Sequence, residues 1–151
     1  MLKYFLQLKN GFGGNRMSES LKQLVGKELK TVSYKVDEAK IRELAEVLGE
    51  TREEYLTGKK MLPTFPTVIE YWSAGYNFWF DLGLDAKKTL HGEQEYEYIG
   101  EIKVGDTITV RSKVVDVFTK KNLTFVILVR EFFNQDDELV LRSKSTIIET
   151  E

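Results

Sequence analysis

One helix-length aromatic segment followed by four strand-length segments is the pattern that most limits how this chain folds. Residues 68–82 carry Ile69, Tyr71, Trp72, Ala74, Gly75, Tyr76, Phe78, Trp79 and Phe80, so apolar side chains fall on nearly every side of a helix. Such a helix is expected to be buried round most of its circumference, with Ala74 and Gly75 leaving room for a close backbone. Pro63 and Pro66, the two prolines of the chain, stiffen the approach and block helix until Thr67. Downstream, residues 90–99, 106–118, 123–133 and 139–149 alternate or run apolar as strands do. The second changes phase between Val114 and Val115, which predicts a bulge. The third is apolar on both faces. Connections of about 3–6 residues make these an antiparallel meander.

Upstream, residues 18–25 read as a short helix, and residues 30–36 alternate Val32, Tyr34 and Val36 with polar neighbours, a half-buried strand. Asp37 follows as an N-cap, with Val36 placed to pack on Ile41 across it. Ile41, Leu44, Ala45 and Leu48 form one apolar stripe, and Gly49 ends the helix. Residues 51–56 read as a further helical turn. A sheet of about five strands, with one strongly apolar helix between its first and second strands, packs by curling round that helix. The predicted class is therefore α+β. A strand apolar on both faces needs cover on its second side, and a partner chain is the simplest supplier.

Composition removes several chemistries. The 151 residues include no cysteine and one histidine, His91, so a disulfide framework and a thiol nucleophile are excluded and an internal zinc site is not expected. A formal net charge of −2 gives no global attraction to nucleic acid or membrane, and neither is expected as a partner. No window approaches the roughly 18 apolar residues of a membrane helix. Residues 1–16, glycine-rich after residue 10, read as a flexible N-terminal extension, and residues 17–151 as a single domain. The absence of cysteine and of a targeting segment points to the cytoplasm. No metal and no cofactor are expected.

Three motifs carry a resemblance. Ile41-Arg42-Glu43-Leu44-Ala45, then Pro63-Thr64-Phe65, then Leu90-His91-Gly92-Glu93-Gln94 follow in the order, with the helix between the last two, that resembles the MaoC-like dehydratases. The match covers about residues 20–150, and Leu-His-Gly-Glu-Gln is its most specific part. This family implies the hot-dog fold, a curled antiparallel sheet of about five strands wrapped round a long central helix. It also implies the hydration or dehydration of R-3-hydroxyacyl thioesters. The likeness is to the family's N-terminal half.

The same resemblance shows what this chain lacks. The catalytic half carries Gly-Asp-x-Asn-Pro-x-His after the first helix, and its Asp and His hold the reacting water. Here that place reads Gly49-Glu50-Thr51-Arg52-Glu53-Glu54-Tyr55. A tyrosine, with a pKa near 10, is a poor proton acceptor at neutral pH, so no catalytic residue is assigned. The resemblance implies a non-catalytic subunit that works with a catalytic hot-dog partner on CoA or acyl-carrier-protein thioesters, forming a homodimer in its absence. It would line an acyl tunnel, for which Phe65, Tyr71, Trp72, Gly75, Tyr76, Trp79 and His91 are the candidates. Each buried methylene would contribute about 0.8 kcal/mol, and bulky Trp and Tyr argue for a shallow tunnel.

For His91 three roles stand open: a structural or interface contact, bonded to the loop at residues 63–65 or to the partner, a substrate contact, or proton transfer. Glu93, Glu95 and Glu97 share one strand face and read as a solvated edge or as an electrostatic contact to a partner. Two rival functions remain, a homodimeric thioesterase or hydratase using Glu50, Glu70 or His91, and an acyl-CoA binding module without chemistry.

Overall fold

Short connections and alternation decide the sheet. In the computed structural model, which describes residues 21–74 and 78–150, five strands are present among the described residues. They are β1 (Val32–Lys35), β2 (Thr89–Tyr98), β3 (Thr107–Lys120), β4 (Leu123–Phe133) and β5 (Leu139–Thr150). All pairings are antiparallel, in the order β1-β3-β4-β5-β2. The last three strands are joined by tight turns and so lie side by side, which leaves β1 and β2 for the two edges. Between β3 and β4, Lys121 and Asn122 take φ of 50° and 63°, the two-residue turn whose twist suits a hairpin. The register of β3 against β4 shifts between Val114 and Asp116, which is the slip read from the sequence.

The helices lie between β1 and β2. Asp37 caps α1 (Glu38–Val47), its side chain accepting from the Lys40 backbone N–H at 2.9 Å. Gly49 ends it with φ of 68°, where a side chain would be strained. One turn, α2 (Glu53–Leu56), follows. The helix expected over residues 68–82 appears as α3 (Pro66–Ala74) and α4 (Phe78–Asp81). It starts on Pro66, whose missing N–H costs nothing at a first helical position. Gly75 and Tyr76 lie outside the described residues, as do residues 1–16 and the first three of the helix expected at residues 18–25; of the remainder, residues 21–22 are helical and 23–25 form a turn.

Two apolar clusters fill the space between helices and sheet. Phe65 and Ile69 from the α3 region meet Val36, Ile41, Ile108, Val110, Phe132 and Leu141. Each such side chain contributes about 1.5–3 kcal/mol on burial. Farther along the sheet, Leu82 and Leu84 pack on Val114, Val126, Leu128 and Ile147. The expectation of a central helix buried on most sides needs correction. Tyr71 and Trp72 are each 51% exposed and Phe80 is 72% exposed, because one sheet can cover only one side of α3 and α4. The second face of β4, by contrast, is partly covered within the chain. Ile127 is buried there, Phe118 stacks on Phe125 at 4.8 Å, and the Arg111 guanidinium lies 4.1 Å above Phe133.

Candidate functional site

Between the two apolar clusters, a polar row crosses the sheet. Ser112 pairs with Arg130, Arg130 with Ser143, and Ser143 with Tyr96 in neighbouring strands. The side chains of Arg130, Ser143 and Ser145 are buried on the face that the helices cover. They occupy the same alternating positions as Leu128, Phe132, Leu141 and Ile147, so strand period alone aims them inward. A buried polar row must find its partners inside the protein, and α3 delivers the main one. Glu70, one residue after the core residue Ile69, is itself buried.

The resulting network draws on four elements. The Glu70 carboxylate accepts from the Ser143 hydroxyl and, at 3.4 Å, from the Gln94 amide. Arg130 Nη1 lies 3.9 Å from the other carboxylate oxygen and donates to Ser145 Oγ at 2.7 Å. Ser145 in turn donates to Gln94 Oε1 at 2.7 Å. The same Gln94 oxygen lies 3.0 Å from His91 Nε2. Beside the row, Tyr96 bonds the Thr67 hydroxyl at 2.7 Å. Burial foremost, and then the Glu70 charge, hold the Tyr96 phenol well above its ordinary range, so it stays protonated.

These contacts explain the Leu-His-Gly-Glu-Gln motif physically. Gln94 joins β2 to the buried carboxylate. At Gly92 a Cβ would sit 2.6 Å from Ile148 Cδ1 and 3.3 Å from the Thr146 carbonyl, so the packing of β2 on β5 favours glycine, a side chain there having to displace the end of Ile148. The register shifts between His91 and Glu93, and such a bulge re-aims the side chain beside it. The expected bond from His91 to the loop at residues 63–65 is corrected. Tyr98 makes that contact, donating to the Pro63 carbonyl at 2.6 Å, while His91 turns to Gln94. Burial pushes the Tyr98 phenol up to about 12.

The second polar cluster is local. Glu50 Oε1 accepts from the backbone N–H groups of Thr51 and Arg52 at 2.9 and 3.0 Å and from Arg52 Nε at 2.9 Å. Its other oxygen meets Arg52 Nη2 at 2.5 Å. The Arg52 side chain, followed by these backbone donors, holds the carboxyl down at about 2. The same guanidinium lies 4.5 Å above the Tyr55 ring. That ring is buried with Ala45 and Leu62, and Lys60 sits 5.4 Å from its centre. Glu50 is thus a weak base committed to its own loop, and Tyr55 is core.

The tunnel candidates occupy different surroundings. Phe65 is fully buried and packs edge-on to Tyr34 at 6.4 Å. Tyr71 and Trp72 make a perpendicular pair at 5.9 Å on the uncovered side of α3. Trp79 is half-buried against the second apolar cluster, and His91 is exposed. A surface hollow lies elsewhere, on the outer side of β3 and β4, lined by residues such as Thr31, Arg111, Lys113 and Val129. Glu70, a candidate base of the rival enzyme from sequence, is here bonded by side chains of other elements, while Arg130, Ser143 and Ser145 are functional candidates that only the structure brings forward. Their signal is a polar residue at an inward position of an apolar strand, once in β4 and twice in β5.

An open antiparallel sheet in this order, with its helices on one face, is the hot-dog fold. The chain belongs to the FAS1-like dehydratase domain region family, whose model matches residues 23–143. It is 29% identical over 129 residues to a UPF0336 protein of Streptomyces griseus, covering 78% of this chain and 86% of that one. A UPF0336 protein of Streptomyces coelicolor is 34% identical over 95 residues, 56% of this chain and 63% of the other. Among solved structures, a MaoC-like dehydratase from Rhodospirillum rubrum superposes with a TM-score of 0.61 at 17% identity, over 83% of this chain and 92% of that one. The HadBC 3R-hydroxyacyl-ACP dehydratase complex of Mycobacterium tuberculosis gives 0.58 at 16% identity, over 83% and 96%. At these identities the structural likeness speaks for the fold.

Proposed function

We propose that this chain is the non-catalytic subunit of an R-specific 3-hydroxyacyl-thioester dehydratase, acting with a separate catalytic hot-dog chain. One observation carries the reading. Where catalytic members hold a water between Asp and His, this chain places Glu50, neutralised by Arg52, and a buried Tyr55. Neither side chain is free to take a proton from a bound substrate at neutral pH. Its contribution would be cover for the acyl chain and the second half of a paired sheet, working in the cytoplasm. The exposed Tyr71 and Trp72 on α3 and Phe80 on α4 are the apolar side chains that such a partner would bury.

The test is to mix the purified chain with the product of a neighbouring reading frame that carries Gly-Asp-x-Asn-Pro-x-His, and to assay crotonyl-thioester hydration. Turnover is expected from the mixture and not from either chain alone. Appreciable turnover by this chain by itself, lost in Glu70→Gln or His91→Ala, would establish the stand-alone enzyme instead. Without its partner the chain is expected to cover the same surface with a second copy. Light scattering at micromolar concentration should therefore give a dimer mass, and a monodisperse monomer would contradict this.

A further inference from the structure

Among the described residues the sheet ends on two open edges, and they differ. β1 offers four residues, whereas β2 offers ten, Thr89–Tyr98, whose edge-facing N–H and C=O groups are a template for another strand. The longer edge is also held in place. The inward side chains of β2 run along α3 and its approach: Gln94 bonds Glu70, Tyr96 bonds Thr67, and Tyr98 bonds the Pro63 carbonyl. The open edge and the exposed Tyr71 and Trp72 of α3 therefore belong to one bonded unit.

The other face of β2 decides what pairs there. Glu93, Glu95 and Glu97 alternate along it, all exposed. Arg142 holds Glu97 at 2.9 Å, and Lys144 stands opposite Glu95 in β5, whereas Glu93 stands opposite Thr146. The Glu93 and Glu95 carboxylates have no hydrogen bond or ion pair among the described residues. Two copies joined edge to edge by a two-fold axis pair antiparallel, with like faces matched. In every such register centred between residues 93 and 97, glutamate falls directly opposite glutamate, which is unfavourable. A strand with lysine or arginine at alternate positions of that face turns the same contacts favourable. We propose that the acidic row of β2 selects the partner, disfavouring a second copy of this chain and favouring a different chain whose edge strand is basic on that face. This rests on the two-chain reading above and names what the partner must present. A second copy can still cover Tyr71 and Trp72, against this repulsion, until the basic strand displaces it.

The selection can be tested with this chain alone. Glu93→Lys combined with Glu95→Lys makes the edge basic at two exposed positions. Mixed in equal amounts with wild type and left to exchange, it should give a mixed dimer in excess of random pairing, counted by native mass spectrometry. The preference should be about tenfold, as roughly 1.4 kcal/mol of cross-strand charge pairing gives. High salt should erase it. Glu46→Lys combined with Asp136→Lys changes the net charge equally, at exposed positions outside β2, and should pair with wild type at random. Glu93→Gln combined with Glu95→Gln should tighten self-association about tenfold in sedimentation. Toward the catalytic partner, the β2 lysine variant should assemble about tenfold more weakly than wild type.

Random pairing of wild type with the β2 lysine variant overturns the selection. So does an excess that survives high salt, or one that the Glu46 and Asp136 control shows equally. Where wild type alone is monomeric, a dimer that forms only in the mixture supports the selection, and the absence of any dimer overturns it. Turnover by the assembled complex reports the proposed function and the share of mixed dimer reports this inference, so each can fail without the other.

Discussion

Two clusters of charged residues in this domain are built on opposite plans. The Glu50 cluster draws its hydrogen bonds from residues 50–52 and lies at the rim of the fold, its Arg52 side chain open to solvent. The Glu70 cluster gathers Arg130, Ser143, Ser145 and Gln94 from three strands onto one helix, largely out of solvent. The first satisfies itself locally, so losing it leaves no buried group without a partner. The second divides the core into two apolar halves, and every member depends on the others. A polar group's importance here is set by what encloses it and how many elements supply its partners.

The largest effect expected from breaking this contrast is at Arg130. Arg130→Met removes the cation and strands the buried Glu70 carboxylate, which should cost roughly 3–5 kcal/mol. Urea denaturation measures it as a fall in midpoint. Pairing that change with Glu70→Leu should restore much of the loss, because an apolar replacement of both partners leaves no uncompensated charge. A double variant as unstable as the sum of its parts would show that the two act independently. Tyr55 comes next. Tyr55→Ala opens a cavity against Ala45 and Leu62 and should cost about 3 kcal/mol. Glu50→Asp combined with Tyr55→His supplies the family's catalytic residue types, and is expected to yield no hydration by this chain alone. The ring at position 55 is packing, and Arg52 still holds the carboxylate.

Much of the fold is legible in the residues, and the reasons are local. Asp37 before an apolar stripe, Gly49 after it, the phase slip at Val115 and the short connection between residues 118 and 123 each act within a few residues of themselves. Strand ends moved by one or two residues, as expected where ladders fray. The polar row is a different kind of object. Arg130 and Ser143 stand 13 positions apart, each a polar group at an inward position of its strand, and only the pairing register aligns them. Nothing within reach of Glu70 in sequence marks it as the row's partner, because the helix crosses the sheet from a connection made earlier in the chain. The burial expected for Tyr71 and Trp72 failed for a related reason. Hydrophobicity reports that a surface seeks cover, and is silent on whether its own chain or a second one supplies it.

The smallest expected effect belongs to Glu50 and is seen only in acid. Its carboxyl is held down at about 2 against an ordinary 4.5, so the folded state prefers it ionised. A depressed carboxyl adds stability that is fully present above the unfolded value and disappears as pH falls through the folded one. Comparing wild type with Glu50→Gln by thermal melting should therefore give a constant difference from neutral pH down to about 4.5, narrowing toward about 2. Since Arg52 is well exposed in this pair, raising the salt concentration should shrink the difference throughout. Hydration by the assembled complex should be unchanged by the substitution at neutral pH. A drop in turnover there, with no change in melting, would give Glu50 a part in chemistry that its bonds to Arg52 argue against.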